Sequence, residues 1–143
     1  MGKKGNGKGP GGAPEAAGGA LVLDAGALIA FERSEEQIDA FLDEAAEEGD
    51  EILIPASALA QVWRGGPRSA RLALLLAGSK SDFLDEARAK EVGERLGRRG
   101  KVDIADAHVV CCALDRDADL VTSDPEDMEA LVGAGESLTV VSV

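Results

Sequence analysis

Short apolar runs alternate with segments of helical periodicity along most of this chain. The apolar runs are four to six residues long, as expected of buried strands. In the intervening segments apolar residues recur every three or four positions, which predicts amphipathic helices. The predicted strands are 20–24, 51–54, 80–84, 119–122 and 138–143. The predicted helices are 26–32, 38–46 (with Ser34 as its cap and Gly49 as its end), 55–63, 68–77, 85–98, 103–114 and 125–132.

This alternation predicts an α/β fold. Strands that alternate with helices form a parallel sheet with helices on both faces, joined by right-handed crossovers. We therefore expect a three-layer α/β/α sandwich with a central, mainly parallel sheet of about five strands. In such sheets the ligand crevice lies beyond the carboxyl ends of the strands.

The first part of the chain differs from the rest. Residues 1–19 are rich in Gly and Lys and have no hydrophobic periodicity, so we expect a flexible leader there. Residues 20–143 then form one domain, since 143 residues fit a single domain. No apolar run approaches the roughly 20 residues that span a bilayer. We expect a cytoplasmic protein that does not contact membranes.

Charge and cysteine content narrow the function classes. The net charge is −12, and such a surface repels nucleic acid at long range. Any nucleic-acid function must therefore bring in the phosphate through metal ions or a local basic strip. The two cysteines, Cys111 and Cys112, are adjacent, which disfavours a disulfide and predicts buried, reduced thiols.

Acidic side chains fall at predicted strand ends and helix starts. Asp24 ends the first strand, and Asp124 follows the fourth strand with Asp127 three residues on. Asp103 and Asp106 begin the helix that carries the cysteines. Converging carboxylates repel one another unless they bind protons or a cation. Mg²⁺ or Mn²⁺ accepts oxygen ligands and supports in-line attack on a phosphodiester, although helix capping is the alternative role for Asp103 and Asp124.

Four blocks of the sequence resemble the PIN domains, and in particular the VapC-like toxins of toxin–antitoxin pairs. They are LVLDAGALI at 21–29, IPASALAQVWRGG at 54–66, DIADAHVV at 103–110 and VTSDPEDM at 121–128. They occur in the family's order and cover about residues 20–143. The resemblance implies a Mg²⁺- or Mn²⁺-dependent ribonuclease that acts on RNA, forms a homodimer and is blocked by a cognate antitoxin protein. The acidic pocket suits an antitoxin that inserts a basic side chain.

The resemblance also implies roles for individual residues. Asp24, Asp106 and Asp124 match the metal-binding acids of the family, and Asp127 matches a frequent accessory acid. Ser123 matches a small hydroxyl residue near the metal-bound water.

One position departs from the family pattern. Gln61 stands where the family places a Glu in the second block. A glutamine keeps the shape and a carbonyl oxygen, but it carries no charge and cannot act as a base. We therefore expect either a weakened ribonuclease or a PIN fold that binds RNA or a partner protein without cutting. A simple surface amide is the structural alternative.

Five further polar or aromatic residues have two interpretations each. Arg64, Arg68 and Arg71 are candidate RNA phosphate contacts, with ordinary surface ion pairing as the alternative. His108 lies two residues after Asp106, so it points away from that carboxylate and is expected to pack or hydrogen-bond rather than act as a base. Trp63 is expected in the core or at a subunit contact.

A phosphoacceptor α/β domain is the competing enzyme class. A receiver also places acids at strand ends, but Asp24 has no acidic neighbour and no Lys precedes the last strand. Haloacid-type phosphatases need a second Asp two residues after the first, where this chain has Gly26. Labelling of an Asp by acetyl phosphate would separate these classes from a nuclease.

Overall fold

Residues 19–143 are described by the computed structural model. The leader expected for residues 1–19 lies outside this range except for Gly19. The strands of the described part are β1 (Ala20–Leu23), β2 (Glu51–Pro55), β3 (Lys80–Asp82), β4 (Asp119–Thr122) and β5 (Val140–Ser142). Its α-helices are α1 (Ala25–Glu32), α2 (Glu36–Glu48), α3 (Ala56–Val62), α4 (Ala70–Ala77), α5 (Glu86–Arg99), α6 (Ile104–Arg116) and α7 (Pro125–Glu129).

The five strands form one parallel sheet in the order β3-β2-β1-β4-β5. The predicted α/β fold with a parallel sheet is therefore confirmed. From β1 the chain builds the sheet first toward β3 and then, after crossing back, toward β5. The direction reverses between β1 and β4, and a parallel sheet opens its ligand crevice beyond the strand ends at such a point. Leu23 of β1 pairs with Val121 of β4 there.

The core lies between the sheet and its helices. Val22, Leu53 and Leu120 from the three central strands have no solvent exposure. Central parallel strands are covered on both faces, which explains their continuous apolar runs. Helix α6 is also buried along most of its length, and its Cys111 and Cys112 are buried free thiols, as predicted. In the described part of the chain, no helix is long and apolar enough to cross a membrane.

Several element boundaries differ from expectation: β3 ends at Asp82 rather than at 84, α4 begins at Ala70 rather than at 68, and β5 begins at Val140 rather than at 138. Ser34 does not cap α2: it has a left-handed backbone (φ 58°), and the N-cap is Glu35, which makes no side-chain capping bond. The turn out of α1 determines this geometry, because the Ser34 and Glu35 amides donate to carbonyls of α1. Helix α7 ends at Glu129 rather than at 132.

Burial corrects two side-chain predictions. Trp63 is 40% exposed and is therefore not a core residue. It follows the last residue of α3, where the chain leaves helical geometry, and this carries the indole to the surface. The helical spacing of α5 predicts that Ala87, Val92 and Leu96 face inward, but Ala87 is exposed. Arg95 is buried instead, because Glu136 and the Leu131 carbonyl accept hydrogen bonds from its guanidinium.

Candidate active site

Asp24 lies at the carboxyl end of β1, at the point where the sheet changes direction. Its backbone N–H donates to Val121 O of β4 at 3.2 Å. Its Oδ1 accepts a hydrogen bond from Ala27 N at 2.8 Å and so caps α1, while its Oδ2 accepts from the Thr122 hydroxyl. The side chain is only 4% exposed. The strand end thus holds one carboxylate in a fixed orientation beside the crevice.

Thr122 connects the ends of β1 and β4. It is fully buried, and its Oγ1 donates to Asp24 while accepting from the Asp124 backbone N–H at 2.8 Å. Sequence reasoning did not select Thr122 as a site residue. Its position at the last residue of β4, level with the end of β1, was the available signal.

Asp106 is close enough to the other predicted acids for their charges to act on it. It lies in the first turn of α6, and its N–H donates to Asp103 Oδ1 at 2.9 Å. Burial raises the pKa of Asp106 to about 6, and the negative charges of Asp103, Asp24, Asp127 and Asp124 contribute in that order. We call these five carboxylates the acidic cluster. The fold therefore brings together acids from three separate parts of the chain.

The pKa of Asp24 is also raised. Burial is the largest cause, the hydrogen bonds from Thr122 and Ala27 oppose it, and the charge of Asp124 raises it further. Burial is therefore the main reason that the ionised forms of Asp24 and Asp106 are disfavoured, and the neighbouring negative charges add to it.

Helix capping explains part of the acidic cluster but not all of it. Asp24 and Asp103 do cap α1 and α6, so each has a structural role. Asp124 occupies the residue before α7, yet its side chain makes no capping hydrogen bond. The capping alternative therefore fails for Asp124, whose exposed carboxylate is available to a ligand.

Ser123 packs directly on the first turn of α1. A Cβ added to Gly26 would come within 1.9 Å of Ser123 Oγ and 3.4 Å of Asp24 Oδ1. Glycine is thus required at position 26 for the Ser123 hydroxyl to lie beside Asp24.

Comparison with known proteins identifies the family. Residues 21–131 match the PIN domain. This chain belongs to the PIN domain family. No curated protein sequence matched it. The receiver and haloacid-type alternatives are therefore set aside, and the resemblance found in the four sequence blocks is confirmed.

Solved structures of toxin–antitoxin proteins share this PIN fold. VapBC2 from Rickettsia felis, bound to a promoter DNA fragment, has a TM-score of 0.66 at 14% identity and covers 87% of this chain and 98% of that one. A toxin–antitoxin complex from Klebsiella pneumoniae has a TM-score of 0.66 at 16% identity, and the match covers 85% of this chain and 96% of that one. DNA-bound VapBC from Salmonella typhimurium has a TM-score of 0.64 at 16% identity, and the match covers 87% of this chain and 98% of that one. At these identities the similarity concerns the fold.

The oxygen-only acidic cluster fits the divalent ion that PIN domains generally use, Mg²⁺. Among residues 19–143, no three carboxylate, histidine or cysteine side chains lie close enough to form a complete ligand set. Mg²⁺ is usually held by one or two carboxylates together with waters and substrate phosphates. Asp24, Asp106 and Asp124 carry carboxylate oxygens that could each contribute to such a partly hydrated site.

Gln61 lies on α3, beside the acidic cluster. It is exposed, and it lines a groove of about 620 Å³ together with Asp103 of that cluster. We call this the α3 groove. Helix α3 therefore brings an amide, and no carboxylate, to the edge of the cluster.

The three arginines proposed for RNA are not equivalent in this PIN domain. Arg71 is ion-paired with Asp39 at 2.8 Å and stacks 4.2 Å from the centre of the Phe31 ring. Arg64 donates to the Trp63 and Gln61 carbonyls. Arg68 is exposed on the short 3₁₀ turn Gly66–Ser69. Surface ion pairing thus describes Arg71, and Arg68 is the arginine most available to a ligand.

His108 faces the interior, as the helical spacing predicted. It has no solvent exposure, and its two ring nitrogens lie 2.7 Å from Ser57 Oγ and 2.8 Å from Asp82 Oδ1. Both partners lie on other elements and were not predicted.

Proposed function

We propose that this PIN domain is a divalent-metal-dependent endoribonuclease, the toxin of a toxin–antitoxin pair, whose activity is reduced by Gln61. One observation carries the proposal: acids from three parts of the chain act on Asp106 through their charge, close to the point where the sheet changes direction. PIN domains are usually nucleases. When bound, Mg²⁺ or Mn²⁺ would neutralise phosphate charge and lower the pKa of a water nucleophile.

The residues divide the work by their environment. Asp24 has its orientation fixed by two hydrogen bonds, which suits a metal ligand that must not move during the reaction. Asp106 and Asp124 supply the other anionic oxygens, and Asp127 adds charge at the rim. Ser123, packed against Gly26 beside Asp24, orients water at the same place. Arg68, with Arg64 and Arg71 beside it, contacts RNA phosphates away from the cluster.

Gln61 determines how active this copy is. An amide oxygen can orient water or accept a hydrogen bond, but it cannot take a proton or add negative charge. A second function follows from this residue alone: a PIN module that binds RNA or a partner protein without cutting.

The partners we propose follow from the fold and the charge. The similar structures are toxin–antitoxin complexes. We propose that a cognate antitoxin covers the acidic cluster with a basic side chain, that the chain forms a homodimer, and that it acts on cytoplasmic RNA. The net charge of −12 favours a basic partner segment.

The test is cleavage of mixed cellular RNA with Mn²⁺ by the natural chain and by Gln61→Glu, Asp24→Asn and the double variant. We expect Gln61→Glu to raise cleavage about 10²- to 10⁴-fold, the usual contribution of a general base, and Asp24→Asn to abolish it in either background. Gln37→Glu is the matched control, because it adds the same charge on exposed α2. Mn²⁺ binding is measured by calorimetry on the same variants.

Each result decides between the two functions. Cleavage that survives Asp24→Asn contradicts the proposed site. Folded variants that bind Mn²⁺ but never cut RNA favour the binding module.

A further inference from the structure

A partly buried chain of hydrogen bonds runs from Arg88 to Ser57 and is not used by the proposed metal site. Arg88 Nε and Nη2 donate to the two carboxylate oxygens of Asp82 at 2.9 and 2.8 Å. Asp82 Oδ1 lies 2.8 Å from His108 Nε2, and His108 Nδ1 lies 2.7 Å from Ser57 Oγ. Four elements, α5, β3, α6 and α3, each contribute one residue.

This chain of bonds fixes the direction of the Ser57 hydroxyl. Burial favours the neutral form of Asp82, but the hydrogen bonds from Arg88 and His108 outweigh it and hold the pKa of Asp82 below its usual value. An ionised carboxylate only accepts hydrogen bonds, so Nε2 of His108 donates to Asp82, and we assign the imidazole tautomer with its proton on that nitrogen. Nδ1 is then an acceptor, and the Ser57 hydroxyl donates to it. Ser57 Oγ can then still accept a hydrogen bond from another group.

Ser57 lines the α3 groove, whose composition suits a nucleobase. The walls include three partly exposed aliphatic side chains, with Val102 90% exposed, Ile104 54% and Leu84 39%. Exposed apolar patches bordered by polar groups mark ligand-binding grooves. Proteins hold an unstacked base between apolar side chains and hydrogen-bond its edge.

The groove is also continuous with the acidic cluster, because Asp103 belongs to both. A phosphate held at the cluster places an adjoining base next to the groove. Lys101, exposed beside Val102, supplies a positive charge for the next phosphate. A peptide occupant would not require this continuity with the metal site.

We propose that the α3 groove is a nucleobase subsite in which Ser57 accepts a hydrogen bond from an amino-bearing base beside the cleaved phosphate. This inference rests on the proposed ribonuclease function, for which Ser57 would be a specificity-determining residue. The Asp103 carboxylate is a second acceptor in the groove. Both acceptors favour an exocyclic amine and repel a carbonyl in the same place, so cytosine is preferred to uracil.

An NMR titration with CMP and UMP in the presence of Mg²⁺ tests the subsite without any cleavage. The two nucleotides share the pyrimidine ring and differ at position 4, an amine against a carbonyl, and at N3, an acceptor against an N–H donor. We expect CMP to shift the amides of residues 56–61 and 102–105 and to bind about three- to tenfold more tightly than UMP, the value of one hydrogen bond. Ser57→Ala removes this difference. Ser79→Ala, which removes another half-buried, hydrogen-bonded hydroxyl outside the groove, preserves it.

A second variant tests the apolar wall independently of Ser57. Val102 is 90% exposed, so Val102→Ser leaves the core intact even if Ser57→Ala fails to fold. We expect it to weaken both nucleotides equally while keeping the preference for CMP. Unchanged CMP affinity in Val102→Ser, or an undiminished preference in folded Ser57→Ala, overturns the subsite. If CMP causes no chemical-shift changes in the groove, the nucleobase subsite is likewise overturned, and a protein partner becomes the occupant of the groove.

Cleavage-site sequencing separates this inference from the proposed function. Gln61→Glu is expected to enrich cytosine over uracil at one position beside the cut, and Gln61→Glu/Ser57→Ala to lose that enrichment. Cleavage with the same base preference in both variants overturns the subsite and leaves the nuclease standing. Ser57-dependent binding of CMP without cleavage of RNA by any variant overturns the nuclease and supports the subsite.

Discussion

The Thr122 hydroxyl donates a hydrogen bond to the Asp24 carboxylate, although the two residues are 98 positions apart in the chain. Both are buried, and both lie where β1 and β4 end side by side. The same hydroxyl accepts the Asp124 N–H. One side chain therefore couples two proposed metal ligands through hydrogen bonds that cross between the strands.

Replacing Thr122 with Val should weaken the fold and the site together. Valine preserves the shape but removes the hydroxyl, which leaves Asp24 Oδ2 and the Asp124 N–H without this partner. A buried group that loses its hydrogen bond costs about 1–3 kcal/mol. We expect that loss in the free energy of urea unfolding, weaker Mn²⁺ binding, and a further rise in the pKa of Asp24. Thr122→Ser keeps the hydroxyl and should remain near the natural protein; equal losses in both variants would contradict this role.

Gly26 should not tolerate alanine. In most helices Gly→Ala is favourable by up to about 1 kcal/mol, but here the new Cβ meets Ser123 Oγ at 1.9 Å and Ser123 Cβ at 2.9 Å. Overpacking of this kind costs about 1–3 kcal/mol. We expect Gly26→Ala to lower the unfolding free energy and displace Ser123.

A double variant and a second glycine test that explanation. Gly26→Ala/Ser123→Gly removes the clashing atoms and should recover the stability. Gly93→Ala in α5 has no neighbour within 4 Å and should stabilise the protein instead. A loss of stability at Gly26 that Ser123→Gly does not repair would rule out the clash as its cause.

The sequence was sufficient to predict features that depend on local pattern. Asp24 could be selected because a charged residue that directly extends a buried strand needs a special reason. The periodicity of α6 likewise showed that His108 faces away from Asp106. Both conclusions require only the repeat of a strand or a helix. The structure places Asp24 directly after β1 and His108 in the interior, and the role of Asp24 in the site stays a prediction.

Features that depend on distant partners could not be predicted. His108 has two hydrogen-bond partners on other elements. Ser57 lies 51 residues away in the chain and Asp82 lies 26 residues away. Arg95 in a polar helix gave no sign of burial, because its main partner Glu136 is 41 residues away. The prediction that Ser34 caps α2 was wrong for a related reason. The end of α1, rather than the start of α2, determines the backbone conformation of Ser34.

The Arg95–Glu136 pair should contribute measurably to stability. Arg95 donates to both carboxylate oxygens of Glu136, to the Leu131 carbonyl and to Cys111 Sγ, and its side chain is 5% exposed. Glu136→Gln leaves a buried guanidinium without its counter-charge. We expect a loss of about 1–2 kcal/mol, at the low end for such pairs because Glu136 is partly exposed. Glu47→Gln on exposed α2 is the control.

The pH dependence of this pair has a definite sign. The Arg95 hydrogen bond, with that of the Gly133 N–H, lowers the pKa of Glu136 from 4.5 to about 2. The contribution of the Arg95–Glu136 pair to the unfolding free energy is therefore complete above about pH 4.5 and is lost as the pH falls toward 2. The difference between the natural protein and Glu136→Gln in acid titration should shrink over that interval. A constant difference across it would contradict the ion pair as the cause.

Asp106 should give the opposite pH dependence in metal-free protein. Its pKa is about 6 in the folded chain against 3.8 for an unperturbed group, so the folded state binds more protons between these values. The unfolding free energy therefore falls as the pH rises from about 4 to about 6. Asp106→Asn should remove this fall and stabilise the protein near neutral pH by about 1 kcal/mol, after allowance for solvent screening. Asp43→Asn on exposed α2 controls for the general loss of a negative charge.

Mg²⁺ should reverse the effect of Asp106→Asn. A cation that binds the ionised acidic cluster relieves its repulsion and stabilises only the folded state, so saturating Mg²⁺ should raise the melting temperature of the natural protein near neutral pH. The rise should be smaller below about pH 6, where a proton on Asp106 competes with the metal, and smaller still in Asp106→Asn at any pH. Thermal melts with Mg²⁺ or with chelator at two pH values measure this. An equal rise in Asp106→Asn and in the natural protein would place the bound metal away from Asp106 and would require a different set of ligands.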